Sequence, residues 1–560
     1  MKINNKLTRN VSVILLFAIL AFFTFYSFRI DLTEDNRYSV SDFSKTLIGD
    51  FDSPIEVTCF LNGKLNPSFF QLRKATIDYI EELSYFAKHK ISIKYFDTDN
   101  FESENQRLDV YKQLADKGLK PTEIFMRDKD GNSTRKIIFP WLEISTADKK
   151  VNVSILKNIS RFSGEENISI SIENLEFEIT NALNQLKSKD VEKIAFLEGH
   201  GELSEAETYR IMKSLSNFYQ IDRGEVNDDA SVLNDYKVII IAGPKSPFSE
   251  SEKYIIDQYV MYGGKIIWFV DDIKLDVNQL ASNGYTPAIE SNLNLDDLFF
   301  KYGVKFHPYL LQDLQCASIS VNISKQGDKP QIDLKPWHYA PFLLTSDIHP
   351  VTKHIGELKS EYASIITTVD SKSKLKSEIL AASSSHSKLK LAPLIVSLDE
   401  TNLSLDSTFT LSYLPVAILV EGNFESNYLN RIKPDSIVND MPFKHNSVDT
   451  KQLFVATSSI IRNETNGLAS DSTTLPLGYD KIMDVIFGNE QFVLNAIHFL
   501  AGHEDLMSLR NKIYRTRMLN KQIDKQKRAT LQIINVALPI LLMLCFIFPI
   551  NYISKKRHLR

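Results

Sequence analysis

Residues 193–207 read KIAFLEGHGELSEAE, an apolar run that breaks at a glycine-flanked histidine and carries Glu198, His200 and Glu202 within five positions. Two carboxylates around an imidazole can act as general acid and base, or offer oxygen and nitrogen ligands to a divalent cation. Gly199 and Gly201 let the backbone turn sharply on either side of His200. Ser204 and Glu207 match the S-x-x-E capping box, so a helix should begin just past the turn. The turn then sits at the carboxyl end of a strand, where doubly wound folds place ligands. Helix N-termini attract anions, yet Glu198, Glu202, Glu205 and Glu207 crowd this one. Like charges a few ångströms apart each cost about 1 kcal/mol in partly wet surroundings, which disfavours a phosphate or carboxylate ligand. One histidine and two glutamates also fall short of a zinc set. Three uses stay open. The first is a structural turn or partner contact made by Glu198, Gly199, His200, Gly201 and Glu202. The others are a metal or small-ligand site, and catalysis as a metal-dependent hydrolase.

Other chemistry is poorly provided for. The segment from IIIAGP to GGKIIWFVDD (residues 239–272) resembles a class I glutamine-amidotransferase-like fold. That fold needs a cysteine on a strained strand-to-helix elbow. Here the strand runs into Asp271-Asp272-Ile273, and no cysteine lies between residues 60 and 315. No G-x-S-x-G elbow and no G-x-x-x-x-G-K-[ST] loop occurs, so neither serine hydrolysis nor P-loop ATP binding is expected. His349 and His354 in HPVTKH have a metal-compatible spacing on a helix, but Pro350 falls between them and surface histidines are the plainer reading. No catalytic residue, cofactor or metal site is therefore assigned.

The elements around the turn alternate strand and helix. Strand candidates at 54–62 and 90–99, helices at 69–87 and 104–119, and a hairpin over 122–139 turning at Asp130-Gly131 give a β-α-β-α-β-β order. That order resembles a thioredoxin-like unit, without the Cys-x-x-Cys that redox chemistry requires. Residues 168–187 read as a linking helix. Strands at 193–197, 237–242 and 265–270 follow, separated by helices that start at Ser204 and Ser249, and this rhythm argues for a parallel sheet. Ser249 and Glu252 form a second capping box, and Gly263 stops that helix. Residues 300–450 mix short strands and loops. A helix over 489–502 has Asn489 as its expected N-cap and Gly502 as its stop, and a charged helix of about 25 residues follows.

Both ends differ from the body. Residues 11–28 carry no charge, and about 18 residues at roughly 1.5 Å each nearly span a bilayer core. Residues 533–550 are a second apolar run, with Pro539 inside it. Membrane anchors bounded by Val11 and Phe28, and by Ile533 and Ile550, are expected. The tips carry Lys2, Lys6, Arg9, Lys555, Lys556, Arg557 and Arg560 without acids, which assigns both termini to the cytoplasm and the bulk of the chain to the periplasm. The basic run 510–528 could touch anionic lipid headgroups or form a solvated helix face. The whole chain has a formal net charge of −5, so without those tips the body is more acidic still and does not suit nucleic acid. Three cysteines give no disulfide framework, although Cys59 and Cys316 could pair.

Several segments in fixed order carry a broader resemblance: RYSVSDFSKTLIGDFDSPIEVTCFLNGKLNPSFFQL, FLEGHGEL, PWHYAPFLLTSDIHPVTKHI, LPVAILVEGNFES, LPLGYDKIMDVIFGNEQFVLNAIHFLAG and LMSLRNK. Over nearly its whole length the chain resembles the gliding-motility-associated ABC transporter auxiliary family GldG of Bacteroidota. Where that family leads one to expect an acidic D-G-D, this chain has Thr457-Ser458-Ser459, so no metal role carries over to that turn. The resemblance implies an inner-membrane, periplasm-facing subunit that assembles with an ABC permease and its separate cytoplasmic ATPase. It also implies a link to gliding or secretion, with possible periplasmic protein partners.

The expected fold class is α/β, anchored in the membrane at both termini. A thioredoxin-like unit (31–150) follows the N-terminal anchor (1–30). A linking helix (151–190) leads to a flavodoxin-like, amidotransferase-like parallel unit (191–505) with β-rich insertions at about 300–450. A juxtamembrane helix (506–532) and a C-terminal span (533–552) close the chain. The expected role is non-catalytic coupling of transporter components to partners. The alternative is capture of a solute or polypeptide in a cleft between the two α/β units.

Overall fold

The computed structural model describes residues 39–511 and 532–539, except 99–100, 102, 128–132, 160–161, 188–191, 323–330, 370–374, 403–405, 439–440 and 467–472. The chain divides into a unit ending at Ile513 and a second beginning at Tyr514. In the second, residues 532–539 are helical and exposed.

The first unit opens with helix α1 (Asp42–Gly49), strand β1 (Glu56–Cys59), α2 (Pro67–Ser84), β2 (Ser92–Tyr95) and α3 (Glu104–Asp116). Among the described residues the hairpin β3 (Thr122–Arg127) and β4 (Ser133–Ile138) forms a two-stranded sheet of its own. Strands β5 (Trp141–Ser145) and β6 (Lys150–Ser154) then complete a four-stranded sheet of order β2-β1-β5-β6. Helix α4 (Gly164–Lys187) serves two cores at once. Its Ile168, Leu175, Ile179 and Leu183 pack with Val57, Leu72 and Ile144 of the first core. Its Phe177 belongs to the second and larger one.

That larger core surrounds the main sheet. Its parallel strands are β7 (Lys193–Glu198), β8 (Gln220–Glu225), β9 (Tyr236–Ala242) and β10 (Lys265–Phe269). Helices α5 (Glu205–Leu215) and α6 (Glu250–Met261) connect them. A β-rich stretch follows: β11 (Ile273–Lys274), α7 (Val277–Asn283), β12 (Tyr285–Glu290), α8 (Asp296–Lys301), β13 (Val304–His307), β14 (Tyr309–Asp313), β15 (Cys316–Asn322), β16 (Ile332–Thr345), β17 (Leu358–Lys359), β18 (Ile365–Thr368), β19 (Lys376–Ala382), β20 (Ser387–Leu391) and β21 (Leu394–Ser397). Then come β22 (Pro415–Gly422), β23 (Thr450–Val455) and α9 (Asn489–Ala501).

The main sheet runs β15-β16-β19-β22-β23-β10-β9-β7-β8, with β17 added beside β16 to make ten strands. From β23 to β8 every pairing is parallel, and from β23 outward through β22, β19, β16 and β15 every pairing is antiparallel. Ile239, Ile240, Ile266, Ile267, Leu453 and Phe454 are fully buried. Strands covered on both faces read as such continuous apolar runs.

The expected fold class is corrected on two counts. The chain is a mixed α/β molecule with many sheets, in which strands of the stretch expected to be inserted extend the parallel strands into one sheet. Among the described residues no helix is long and apolar enough to cross a membrane. Helix α4 has the length, at 24 residues, but carries Glu165, Glu166, Glu173, Glu176, Glu178 and Lys187. Residues 532–539, which include Ile533, are helical, and the rest of that apolar run lies outside the described residues. Val11, Phe28 and Ile550 lie outside the described residues. The assignment to the inner membrane as a two-pass protein, with cytoplasmic termini and a periplasmic bulk, is corrected by the same finding.

Two smaller expectations change as well. Asn489 is not the N-cap of α9; Gly488 stands there without a side-chain bond. The Asn489 amide instead accepts from Lys359 N at 2.9 Å and donates to Lys359 O at 2.8 Å, pinning the end of β17. The juxtamembrane helix expected over 506–532 is, where described near its start, a short one (α10, Glu504–Ser508) followed by a 3-10 turn at Leu509–Asn511. Residues 512–531 lie outside the described residues. Arg510, in that turn, is buried with its guanidinium 3.9 Å from the centre of the Phe177 ring.

Candidate functional site

Strand β7 ends at Glu198 and α5 begins at Glu205, so the helix starts just past the turn, where the S-x-x-E spacing puts it. The capping box is complete: Glu207 N donates to Ser204 Oγ, and Ser204 N donates to Glu207 Oε2 at 2.9 Å. Gly199 and Gly201 have φ of 111° and 75°, a left-handed conformation that glycine adopts without a Cβ penalty. The two together fold His200 inward beneath the turn.

The ionisable side chains of the turn, Glu198, His200 and Glu202, have partners within the protein. Glu198 Oε1 accepts from Arg223 Nε at 2.6 Å. Arg223 also donates to Leu203 O and to Thr208 Oγ1, so the guanidinium joins β8 to the start of α5. His200 is 3% exposed. Its Nδ1 lies 3.1 Å from Glu202 Oε1, and its Nε2 lies 3.2 Å from Glu252 Oε1. Its ring stacks on Phe248 at 3.6 Å. Glu202 Oε2 accepts from His200 N at 2.7 Å. The His200 carbonyl accepts from Lys245 N and Ser246 N, which fixes the loop leaving β9.

The electrostatics follow from this geometry. Burial pulls the His200 pKa down, but the Glu202 and Glu252 carboxylates outweigh it and hold the imidazole above its ordinary value. Burial pushes Glu252 up, and its bonds to Ser249 and His200 bring it below the usual carboxylate range. The arrangement is an imidazole clasped between two carboxylates, with a carboxylate oxygen facing each ring nitrogen. A metal ligand needs a free nitrogen lone pair. Among the described residues no group of three or more His, Cys, Asp or Glu side chains could hold a metal ion. His349 and His354 are likewise apart in role: His349 faces Glu378, and His354 contacts Asn174 of α4. Cys59 and Cys316 are free thiols.

Glu252 was legible only as the third residue of a capping box; its second role on His200 depends on the approach of α6 to the turn. Arg223 gave no signal, because its pairing with Glu198 depends on the parallel register of β7 and β8. Outside the turn is an open depression of about 540 Å³ bordered by Gly199, His200, Phe248, Glu252, Asn292 and Asn294.

Fold and site together define a class: an α/β body whose strand-end turn is braced by internal ion pairs. The chain belongs to the auxiliary family described as "ABC-type uncharacterized transport system", which it matches over residues 192–496, from the start of β7 into α9. The family ties it to a transport system as an auxiliary component. Residues 34–145 match a domain of unknown function. A protein of Borreliella burgdorferi, described as uncharacterized, is 23% identical over 369 residues, which cover 65% of each chain. The chain thus spans about two thirds of that relative's length. A solved structure, described as the mmIFT52 N-terminal domain, aligns over 55% of this chain and 97% of its own at 12% identity. Its TM-score of 0.32 is too low to carry an argument.

Proposed function

We propose that this chain couples an ABC permease and its separate ATPase subunit to further protein partners, in a system tied to gliding motility and secretion. The observation that carries the coupling role is the spent chemistry of the 198–202 turn: its carboxylates and imidazole are engaged with Arg223, with each other and with Glu252. Such a turn is a rigid projection. Glu198, Gly199, His200, Gly201 and Glu202 then serve as a partner contact, with the depression beside them receiving a partner side chain. The absence of a P-loop in the sequence supports an ATPase on another chain. The link to gliding rests on the sequence resemblance over the segments quoted above. Affinity purification of the tagged chain should recover an ABC ATPase and a multispan permease in fixed ratio. Recovery of neither would refute the reading.

A second reading has its own support. A cleft of about 600 Å³ separates the first sheet from the main unit, with Trp141 and Leu156 on one side and Ile355, Ile486, Phe487 and Leu494 on the other. Mixed apolar clefts of this size suit a solute or an extended polypeptide. Hydrogen exchange in the presence of candidate cargo should slow at both walls. Equal exchange at Trp141 and Phe487 with and without cargo would remove this alternative.

A further inference from the structure

Strands β9, β10 and β23 end side by side around a cavity of about 300 Å³. One wall carries cations. Lys245, just past β9, is exposed and makes no ion pair among the described residues. Lys274, on β11, donates to Lys245 O at 2.6 Å and has two further protons. Arg462, past β23, meets Glu361 Oε2 through Nη2 at 3.1 Å, which leaves the remainder of its guanidinium.

The carboxylates nearby are largely committed. Asp271 accepts from Ser458 N at 2.7 Å on one oxygen and from Ser458 Oγ on the other. This clasp ties the end of β10 to the end of β23 and occupies the position where an acidic turn had been expected. The other wall is apolar, formed by Leu275, Val277 and the Tyr362 ring. Val277 is 44% exposed, so it has surface to give to a ligand. Helix α7 begins there, but its first N–H groups are taken by Asp276, which accepts from Asn278 N and Gln279 N at 2.9 and 3.1 Å. A phosphate would find those donors occupied and a carboxylate beside them.

We infer that this cavity binds a small organic carboxylate with a short apolar chain, its head toward Lys245 and Arg462 and its chain along Leu275, Val277 and Tyr362. Cavities near this volume at the carboxyl ends of parallel strands are the common location for small ligands. The inference is independent of the transporter reading, because it concerns this chain alone.

The test is titration of the purified full chain with hexanoate, followed by saturation-transfer NMR, with hexanol and inorganic phosphate as separate probes. Hexanoate should saturate. Lys245→Met and Arg462→Met should each weaken it roughly tenfold, as expected for loss of a charge-assisted contact, and Lys245→Arg should retain it. Hexanol and phosphate should each bind more weakly than hexanoate. Lys245→Met should leave the melting temperature unchanged, which separates lost binding from lost folding. Absence of hexanoate saturation, or equal binding in both methionine variants, would overturn the site. Phosphate binding as tight as hexanoate would overturn the assignment of the apolar wall.

Discussion

Two turns cap strands of the same sheet and use their charges in opposite ways. At the end of β7, His200 is buried between Glu202 and Glu252, and Glu198 is held by Arg223. At the ends of β10 and β23, Asp271 accepts from Ser458, and the cations Lys245 and Lys274, with Arg462 beside its partner Glu361, border open space. The first turn spends its ionisable groups on rigidity. The second spends one carboxylate on rigidity and leaves positive charge for something else. Proximity of acid and base in sequence therefore marked the inert turn, while the receptive one is assembled from segments more than 180 residues apart.

The largest effect should come from His200→Ala. It leaves the buried Glu202 carboxylate without its imidazole partner, and removing one partner of a buried pair costs about 3 kcal/mol or more. Urea unfolding of the purified chain would read the loss, and an unchanged midpoint would erase the contrast between the turns. Next is Asp272, beside the second turn. Burial first, then Asp296 and Glu290, push its carboxyl up to about 7 from 3.8. A raised carboxyl pKa means that stability is lost as the pH climbs from about 4 through 7. Asp272→Asn should accordingly stabilise by on the order of 2 kcal/mol at alkaline pH and be nearly neutral in acid. A gain of the same size at both ends of that range would contradict the assigned burial.

Smaller effects sharpen the comparison. Ser458→Ala removes the Oγ bond to Asp271 while the backbone N–H bond stays, and should cost about 1 kcal/mol, a third of the His200 value. An equal cost would mean that the two turns are braced alike. The pH profile separates them further. The His200 pKa is held above its ordinary 6.5, so its contribution is complete below about that pH and fades as the pH rises through the folded value. His200→Gln cannot titrate, so the part of the slope due to this residue should disappear from its thermal unfolding curves, while Ser458→Ala should leave the slope intact. Smallest of all, Arg462→Met should change stability by at most about 0.5 kcal/mol, since its pair with Glu361 is partly solvated.

Local features of the chain were legible where local physics decides them. Both capping boxes, at Ser204/Glu207 and Ser249/Glu252, form as their spacing requires. The strands ending near Glu198, Ala242 and Phe269 occur where apolar runs meet turn residues. Contacts across long separations were not legible. Asn489 looked like a cap because it precedes an apolar periodic run, but its amide finds the Lys359 backbone 130 residues away. The antiparallel half of the main sheet escaped notice because β16, β19 and β22 alternate with loops whose partners no local pattern names. The cavity past β23 was invisible for the same reason: Lys245, Lys274 and Arg462 are unremarkable lysines and an arginine until the sheet gathers them.

Arg510 gives the chain a firm exit from its folded body. A charged side chain seated on Phe177, inside the helix that joins both cores, behaves like a bolt rather than a frayed end. Any tension applied to the polypeptide beyond that point would load α4 before it could peel off the last turn. The body would then yield as a whole, and force would register at both sheets together.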